Sequence, residues 1–332
     1  MGEHGDRERV AMKPVAPATA TMGAQLRDGH LLRIAGAHDG LSAILAERAQ
    51  FDAVWASGFG ISAAQGLPDA SILTMTEVLS AASIMTRSLS IPVIVDCDAG
   101  FGDVNVVRFM VSRFESAGVA AVCIEDKEHP KRNSFRAGQQ LADVTEFSLK
   151  IKAAKDAQQT DGFLVIARLE SFIASAGLED AILRAHRYAD HGADAILVHS
   201  KSSRPDEILS FAERWHGDGS RLPLLVVPTT YPVAESLLAD AGLAGVIYAN
   251  QALRAAYSAI QTTLAAIHET ATSRNVEDQI APVSDVLDLV GMQEVERVDN
   301  WFTQAVESAR TSDAQGHNGR GPALSATSER SV

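Results

Sequence analysis

Short apolar runs and longer stretches with a helical apolar repeat take turns along this chain. The short runs fall at 32–35, 53–56, 93–96, 120–125, 164–168, 195–199, 224–228 and 245–248, and their β-branched and aliphatic content predicts buried strands. The longer stretches predict helices over 41–49, 75–88, 104–116, 144–158, 178–191, 205–215, 233–241 and 253–270. Two strands joined by a helix lie parallel and adjacent. Eight βα units in succession, with no second domain between them, predict an α/β fold: a (β/α)8 TIM-type barrel over residues 23–272. An open doubly wound sheet is the alternative, weakened because no GxGxxG follows the first strand. Past the barrel, 283–289 and 293–306 predict two helices within an extension over 273–310, expected to pack on a neighbouring subunit. Residues 1–22 are charged and then Ala/Pro/Thr-rich, and 311–332 are Ser/Gly/Asn/Arg-rich; a flexible leading segment and a disordered tail are expected there.

Composition narrows the function more than the fold. A chain of 332 residues fits one barrel, and 46% hydrophobic residues with only 5% aromatic suit helix-on-sheet packing by Ala, Leu, Val and Ile. A net charge of −13 argues against nucleic acid or an anionic membrane as partner. No secretory apolar core and no membrane-length apolar run is present, and Asp6 stands where a myristoylation signal needs Ser or Thr. A cytoplasmic protein is expected. Cys97 and Cys123 fall inside predicted strands, so they read as small core residues in a reducing compartment rather than as a disulfide.

In such a barrel the active site lies at the C-terminal ends of the strands. Those ends carry Gly36/His38/Asp39, Trp55/Ser57/Gly58, Asp96/Asp98, Glu125, Arg168/Glu170, His199/Ser200, Thr229/Thr230 and Asn250. Asp96, Asp98 and Glu125 form an acidic cluster whose mutual repulsion a cation would relieve, and hard oxygen donors select Mg²⁺ or Mn²⁺ over zinc. The alternative is that they cap helices and pair with Arg or Lys, and Asp126 with Lys127 reads as a local pair. Arg168, closing an apolar strand, suits a bidentate grip on a carboxylate or phosphoryl group, or else an ion pair with Glu170 or Glu125. His199 has the same strand-end position and reads as a site residue or a structural hydrogen-bonder. Ser57-Gly58-Phe59 offers backbone N–H groups at a turn, an anion nest. The 127–135 segment carries Lys127, Lys131, Arg132 and Asn133 and reads either as a loop that closes on substrate or as a solvated basic loop.

Several of these motifs together resemble the phosphoenolpyruvate mutase family of the isocitrate lyase/phosphoenolpyruvate mutase superfamily. Glu125-Asp126-Lys127 followed by Asn133-Ser134 is similar to the family signature. Trp55-Ala56-Ser57-Gly58, Asp96-x-Asp98-x-Gly100-x-Gly102, Ala167-Arg168-x-Glu170, Ala193-Asp194-Ala195-Ile196 with His199-Ser200-Lys201, and Asn275-Val276-Glu277-Asp278 agree as well, over roughly residues 30–290. The resemblance implies a Mg²⁺-dependent isomerase that interconverts phosphoenolpyruvate and phosphonopyruvate and so makes a carbon–phosphorus bond. It implies a tetramer built as a dimer of dimers through the C-terminal helices. On this chain it implies Asp96, Asp98 and Glu125 as metal ligands, partly through water. Trp55, Ser57, Gly58 and Phe59 would hold the pyruvyl part, and Arg168, His199, Asn133 and Ser134 the phosphoryl group. Lys131 would close from the loop, and Asp69 matches a family aspartate at the reacting centre. Cys97, Ala99 and Phe101 depart from the usual Ala, Thr and Tyr, and Phe59 from Leu. Phosphonopyruvate hydrolase is the alternative, disfavoured by Asn133; a carbon–carbon lyase is disfavoured because the loop lacks a cysteine.

Overall fold

A computed structural model describes residues 18–220 and 222–317 of the chain. Eight strands follow one another: β1 (Leu32–Ala37), β2 (Ala53–Ala56), β3 (Val93–Asp96), β4 (Ala121–Glu125), β5 (Leu164–Leu169), β6 (Ala195–Val198), β7 (Leu224–Val226) and β8 (Gly245–Tyr248). They pair in that order, all parallel, and β8 pairs back onto β1, so the sheet is a closed barrel. The helices are α1 (Ala18–Arg27), α2 (Gly40–Arg48), α3 (Gly58–Ala64), α4 (Met75–Ser88), α5 (Val104–Ser116), α6 (Val144–Ala157), α7 (Gly177–Asp190), α8 (Asp206–Gly217), α9 (Glu235–Asp240), α10 (Gln251–Thr270), α11 (Val283–Leu289) and α12 (Met292–His317). Among the described residues no helix is long and apolar enough to cross a membrane.

Alternation along each strand sorts the core into two clusters. Val54, Val95, Val122, Ile124, Val165, Ala167, Ile196 and Val198 point outward and pack with the helices. Trp55, Ile94, Cys123, Ile166 and Leu197 point inward and fill the barrel. The helices answer with apolar faces: α5 buries Val107, Met110, Val111 and Phe114, spaced three or four apart, behind an Asp103 N-cap. Truncating a ring such as Phe114 to alanine would cost about 3–5 kcal/mol. At the closing seam, a Cβ on Gly36 would lie 2.0 Å from the Ala249 carbonyl oxygen, so only glycine lets β1 pass there.

Three elements differ from the sequence expectation. Helix α1 occupies part of the segment expected to be flexible up to residue 22, because Met22 and Leu26 are buried with the inner cluster. The rest of that segment, residues 1–17, lies outside the described residues. Helix α3 forms where a turn was expected, started by the Ser57 side chain, which accepts from the Gly60 N–H at 3.1 Å. Helix α12 runs past 306 to His317, and the remainder of the expected tail lies outside the described residues. The chain divides into two compact units at Gln261/Thr262, within α10. The second unit contains α11 and α12, which leave Val283, Val290, Trp301 and Phe302 exposed.

Candidate active site

The polar strand-end residues continue the inward parity of the barrel. Trp55, Asp96, Glu125, Arg168 and His199 follow inward-facing positions two residues earlier, so they form the uppermost layer of the barrel interior. Glu125 and Arg168 are direct register partners across β4 and β5. Burying this many ionisable groups is tolerable only if each has a partner.

Glu170, one step beyond β5 and fully buried, is the hub. One of its oxygens accepts from Arg168 Nε at 2.6 Å and lies 2.7 Å from His199 Nδ1. The other meets Lys127 Nζ at 2.8 Å and accepts from Ser134 Oγ at 2.8 Å. Burial alone would raise its pKa; Arg168, His199 and Lys127 outweigh that and hold the carboxylate well below the usual range. His199 Nδ1 is also 2.7 Å from Arg168 Nη2. A ring nitrogen that carries a proton can serve only Glu170, and one without it only Arg168, so these contacts are alternatives. Burial lowers the His199 pKa against the pull of Glu170.

Asp126, read from sequence as the partner of Lys127, is not. It accepts from Tyr188 Oη at 2.7 Å, from Arg184 at 3.3 Å and from the Glu170 backbone N–H at 2.8 Å. Burial pushes its pKa up to about 6 against these partners. Lys127 instead turns to Glu170, to Ser134 Oγ at 2.7 Å and to the Arg132 carbonyl at 3.1 Å. A local charge pair fails here because the two side chains diverge just past β4, Asp126 toward Arg184 and Tyr188 on α7 and Lys127 toward Glu170.

The connection from β4 to α6 folds over the mouth, and the solvated-loop reading does not hold for its lysines: Lys127 and Lys131 are both buried. Lys131 Nζ bridges Asp69 at 2.9 Å and Asp98 at 2.6 Å. Asn133 Nδ2 donates to the other Asp69 oxygen at 2.7 Å. These contacts enclose a cavity of about 60 Å³. Trp55, Ser57 and Phe59 line one side, Arg168 and His199 another, with Asp69, Asp96, Lys131, Asn133 and Ser134 between them. Phe135 stands at its edge, its ring perpendicular to His199 at 6.4 Å.

Gly58, Asp98 and Glu125 stand beside this wall. A Cβ on Gly58 would lie 3.2 Å from Asp98 Oδ1 and 3.3 Å from Asp96 Oδ2, so the glycine leaves a cradle for both carboxylates. Arg168 approaches Glu125 only to 3.5 Å and Lys127 only to 3.7 Å, and both Glu125 oxygens are buried without a hydrogen-bond partner. Burial pushes the Glu125 pKa up to about 7. Among the described residues no three His, Cys, Asp or Glu side chains form a ready-made metal cage. The donor set still fits a hard divalent cation: Asp96 and Asp98 flank a side-chain-free glycine, and Glu125 contributes orphaned oxygens.

Of the other strand-end residues, Thr229 and Asn250 also line the cavity, while two serve structure. Asp39 N-caps α2 in a capping box with Ser42. Thr230 donates to the Ser202 carbonyl. Cys97 and Cys123 are free and buried, and burial raises both thiols well above their ordinary value.

Residues 24–268 match the phosphoenolpyruvate phosphomutase family. The chain belongs to that family. It is 41% identical over 281 residues to the phosphoenolpyruvate phosphomutase of Streptomyces hygroscopicus, covering 83% of this chain and 88% of that one. A solved phosphoenolpyruvate phosphomutase from Streptomyces platensis subsp. rosaceus superposes with a TM-score of 0.84 at 48% identity, over 86% of this chain and 99% of that one. A solved phosphonopyruvate hydrolase in complex with oxalate and Mg²⁺ superposes with a TM-score of 0.80 at 38% identity, over 85% of this chain and 98% of that one. The solved phosphomutase thus shares the fold over most of this chain.

Proposed function

We propose that this enzyme is an isomerase that interconverts phosphoenolpyruvate and 3-phosphonopyruvate. The observation that carries the reading is the folded loop, which sets Lys131, Asn133 and Ser134 beside Arg168 and His199 around one small cavity. Membership of the phosphomutase family supports the same reading.

The reaction breaks a P–O bond and forms a P–C bond to the methylene carbon of the enolate left behind. Negative charge moves from the phosphoryl oxygens toward the pyruvyl part and back, so the chain must hold cationic donors at one end and keep water out. Arg168, oriented by Glu170 through its Nε, presents its remaining N–H groups to the phosphoryl oxygens. His199, Asn133 and Ser134 add neutral or switchable donors, and Lys131 covers the site from the loop. The first-turn N–H groups of Gly58 and Phe59, which have no acceptor inside α3, suit the pyruvyl carboxylate. Asp96, Asp98 and Glu125 would hold Mg²⁺, in part through water, with Mn²⁺ as a substitute. The cation stabilises enolate charge when bound.

Hydrolysis of phosphonopyruvate is the second reading, favoured by the match to the solved hydrolase. Phosphorus NMR of the purified protein with phosphonopyruvate and Mg²⁺ separates the two. A phosphoenolpyruvate signal supports the isomerase; inorganic phosphate alone would replace it with the hydrolase. The substrate is a small anion, and in a chain of net charge −13 it is Arg168 and Lys131 that supply the local positive charge at the cavity. We also propose a cytoplasmic homo-oligomer, a tetramer of paired dimers, in which the exposed apolar side chains of α11 and α12 pack on a neighbouring copy.

A further inference from the structure

Ser71 lies on the connection between α3 and α4, and the reaction above gives it no role. Its φ is +53°, in the left-handed region that residues with a Cβ occupy at a cost in conformational energy. Strain of this kind persists only where the surroundings fix it. Here Thr74, three residues on, caps α4 in a capping box with Glu77, and Leu73 is buried. Two residues earlier, Asp69 is gripped by Lys131 and Asn133.

The strained backbone aims the Ser71 hydroxyl at two partners. It donates to Asp98 Oδ2 at 2.9 Å and accepts from the backbone N–H of Lys131 at 3.2 Å. A hydroxyl has one proton and two lone pairs, so it can serve both at once, and each bond polarises the other. The second Asp98 oxygen meets Lys131 Nζ at 2.6 Å. Loop and carboxylate therefore hold each other twice, once through the ammonium and once through Ser71. Asp98 itself has a φ of +49°, so its orientation also needs outside support.

We propose that Ser71 is a positioning residue that couples closure of the 127–135 loop to the orientation of Asp98. By linkage, whatever fixes the carboxylate favours the closed loop, and the closed loop in turn fixes the carboxylate. The kinetic consequence rests on the isomerase reading, while the structural one does not.

The test compares Ser71→Gly, Ser71→Ala and Ser71→Asn with the wild type. Glycine relieves the strain and removes the hydroxyl; alanine removes only the hydroxyl; asparagine tolerates the left-handed backbone and restores a donor and an acceptor. Hydrogen exchange of the peptide spanning 127–141, read by mass spectrometry with and without Mg²⁺, is expected to be about tenfold faster in the Gly and Ala variants and to return toward wild type in Asn. The melting temperature of Ser71→Gly is expected not to fall. The Mg²⁺ concentration for half-maximal turnover is expected to rise about tenfold in the Gly and Ala variants. Wild-type exchange of that peptide in both variants would overturn the proposal. So would faster exchange spread over the whole barrel with a lowered melting temperature, which would make Ser71 merely structural. If the wild type converts no phosphonopyruvate, the isomerase reading fails and the exchange measurement still decides the role of Ser71.

Discussion

Glu170→Gln keeps the shape of the hub and removes its charge. In the native site four donors converge on two oxygens: Arg168 Nε and His199 on one, Lys127 and Ser134 on the other. A glutamine offers one acceptor and one NH₂. Whichever way the amide turns, its NH₂ faces a cation that has lost its counter-charge in a fully buried site. Breaking one partner of a buried ion pair costs roughly 3 kcal/mol or more. At about 2–4 °C per kcal/mol, the melting temperature at neutral pH should fall by roughly 6–12 °C. The pH dependence has a definite sign. Because the folded-state pKa of Glu170 is depressed, its contribution is complete above the ordinary carboxylate value of 4.5 and is lost as pH falls toward the lowered folded value. The gap between wild type and variant should therefore be widest near neutrality and narrow under acid. Catalysis should suffer separately, since Arg168 loses the bond that orients it, and a misplacement of about 1 Å costs on the order of 100-fold in turnover. Melting curves across pH and phosphorus NMR measure both. A variant that melts within about 2 °C of wild type at neutral pH, with full turnover, would refute the hub assignment.

Asn133→Ala should stay folded, with a melting temperature near wild type because Asn133 is only partly buried, yet lose about 100-fold or more in isomerisation; unchanged turnover in the NMR assay would remove it from the site. Phe135→Ala opens the cavity edge beside His199, so released phosphate should rise relative to phosphoenolpyruvate in the same spectra. Chelation by EDTA should abolish turnover, and either Mg²⁺ or Mn²⁺ should restore it, whereas zinc should not; activity that survives exhaustive chelation would contradict the assignment of Asp96, Asp98 and Glu125.

The barrel was legible because, Arg33 and Tyr248 apart, its strands are buried on both faces, so their apolar runs stand out without any alternation to decode. Helix α3 was not: Gly58-Phe59-Gly60 at its start has poor helix propensity, and the Ser57 cap alone is a weak signal. Helix α1 was hidden by composition, since few large apolar residues such as the buried Met22 and Leu26 interrupt its Ala/Thr-rich sequence. Within the site, the ionisable residues could be read from strand ends, but their partners could not. Glu170 was visible as a strand-end residue and possible mate for Arg168 but not as a hub, because its contacts with Lys127, Ser134 and His199 depend on how three different strands and a loop meet around the barrel. Ser71 gave no signal, because its role comes from a backbone angle and from a loop 60 residues away in sequence.

The seam where Gly36 slips past Ala249 also governs how the barrel can be made. Strand β1 leaves the ribosome before the other seven, yet its second neighbour, β8, lies more than 200 residues further along. Until Gly245–Tyr248 has been synthesised, the sheet has two unpaired edges that could bond to any passing strand. Closure that waits for β8 leaves both edges of the growing sheet open over most of the span between the two strands. The missing side chain at Gly36 keeps that last docking step free of a steric barrier.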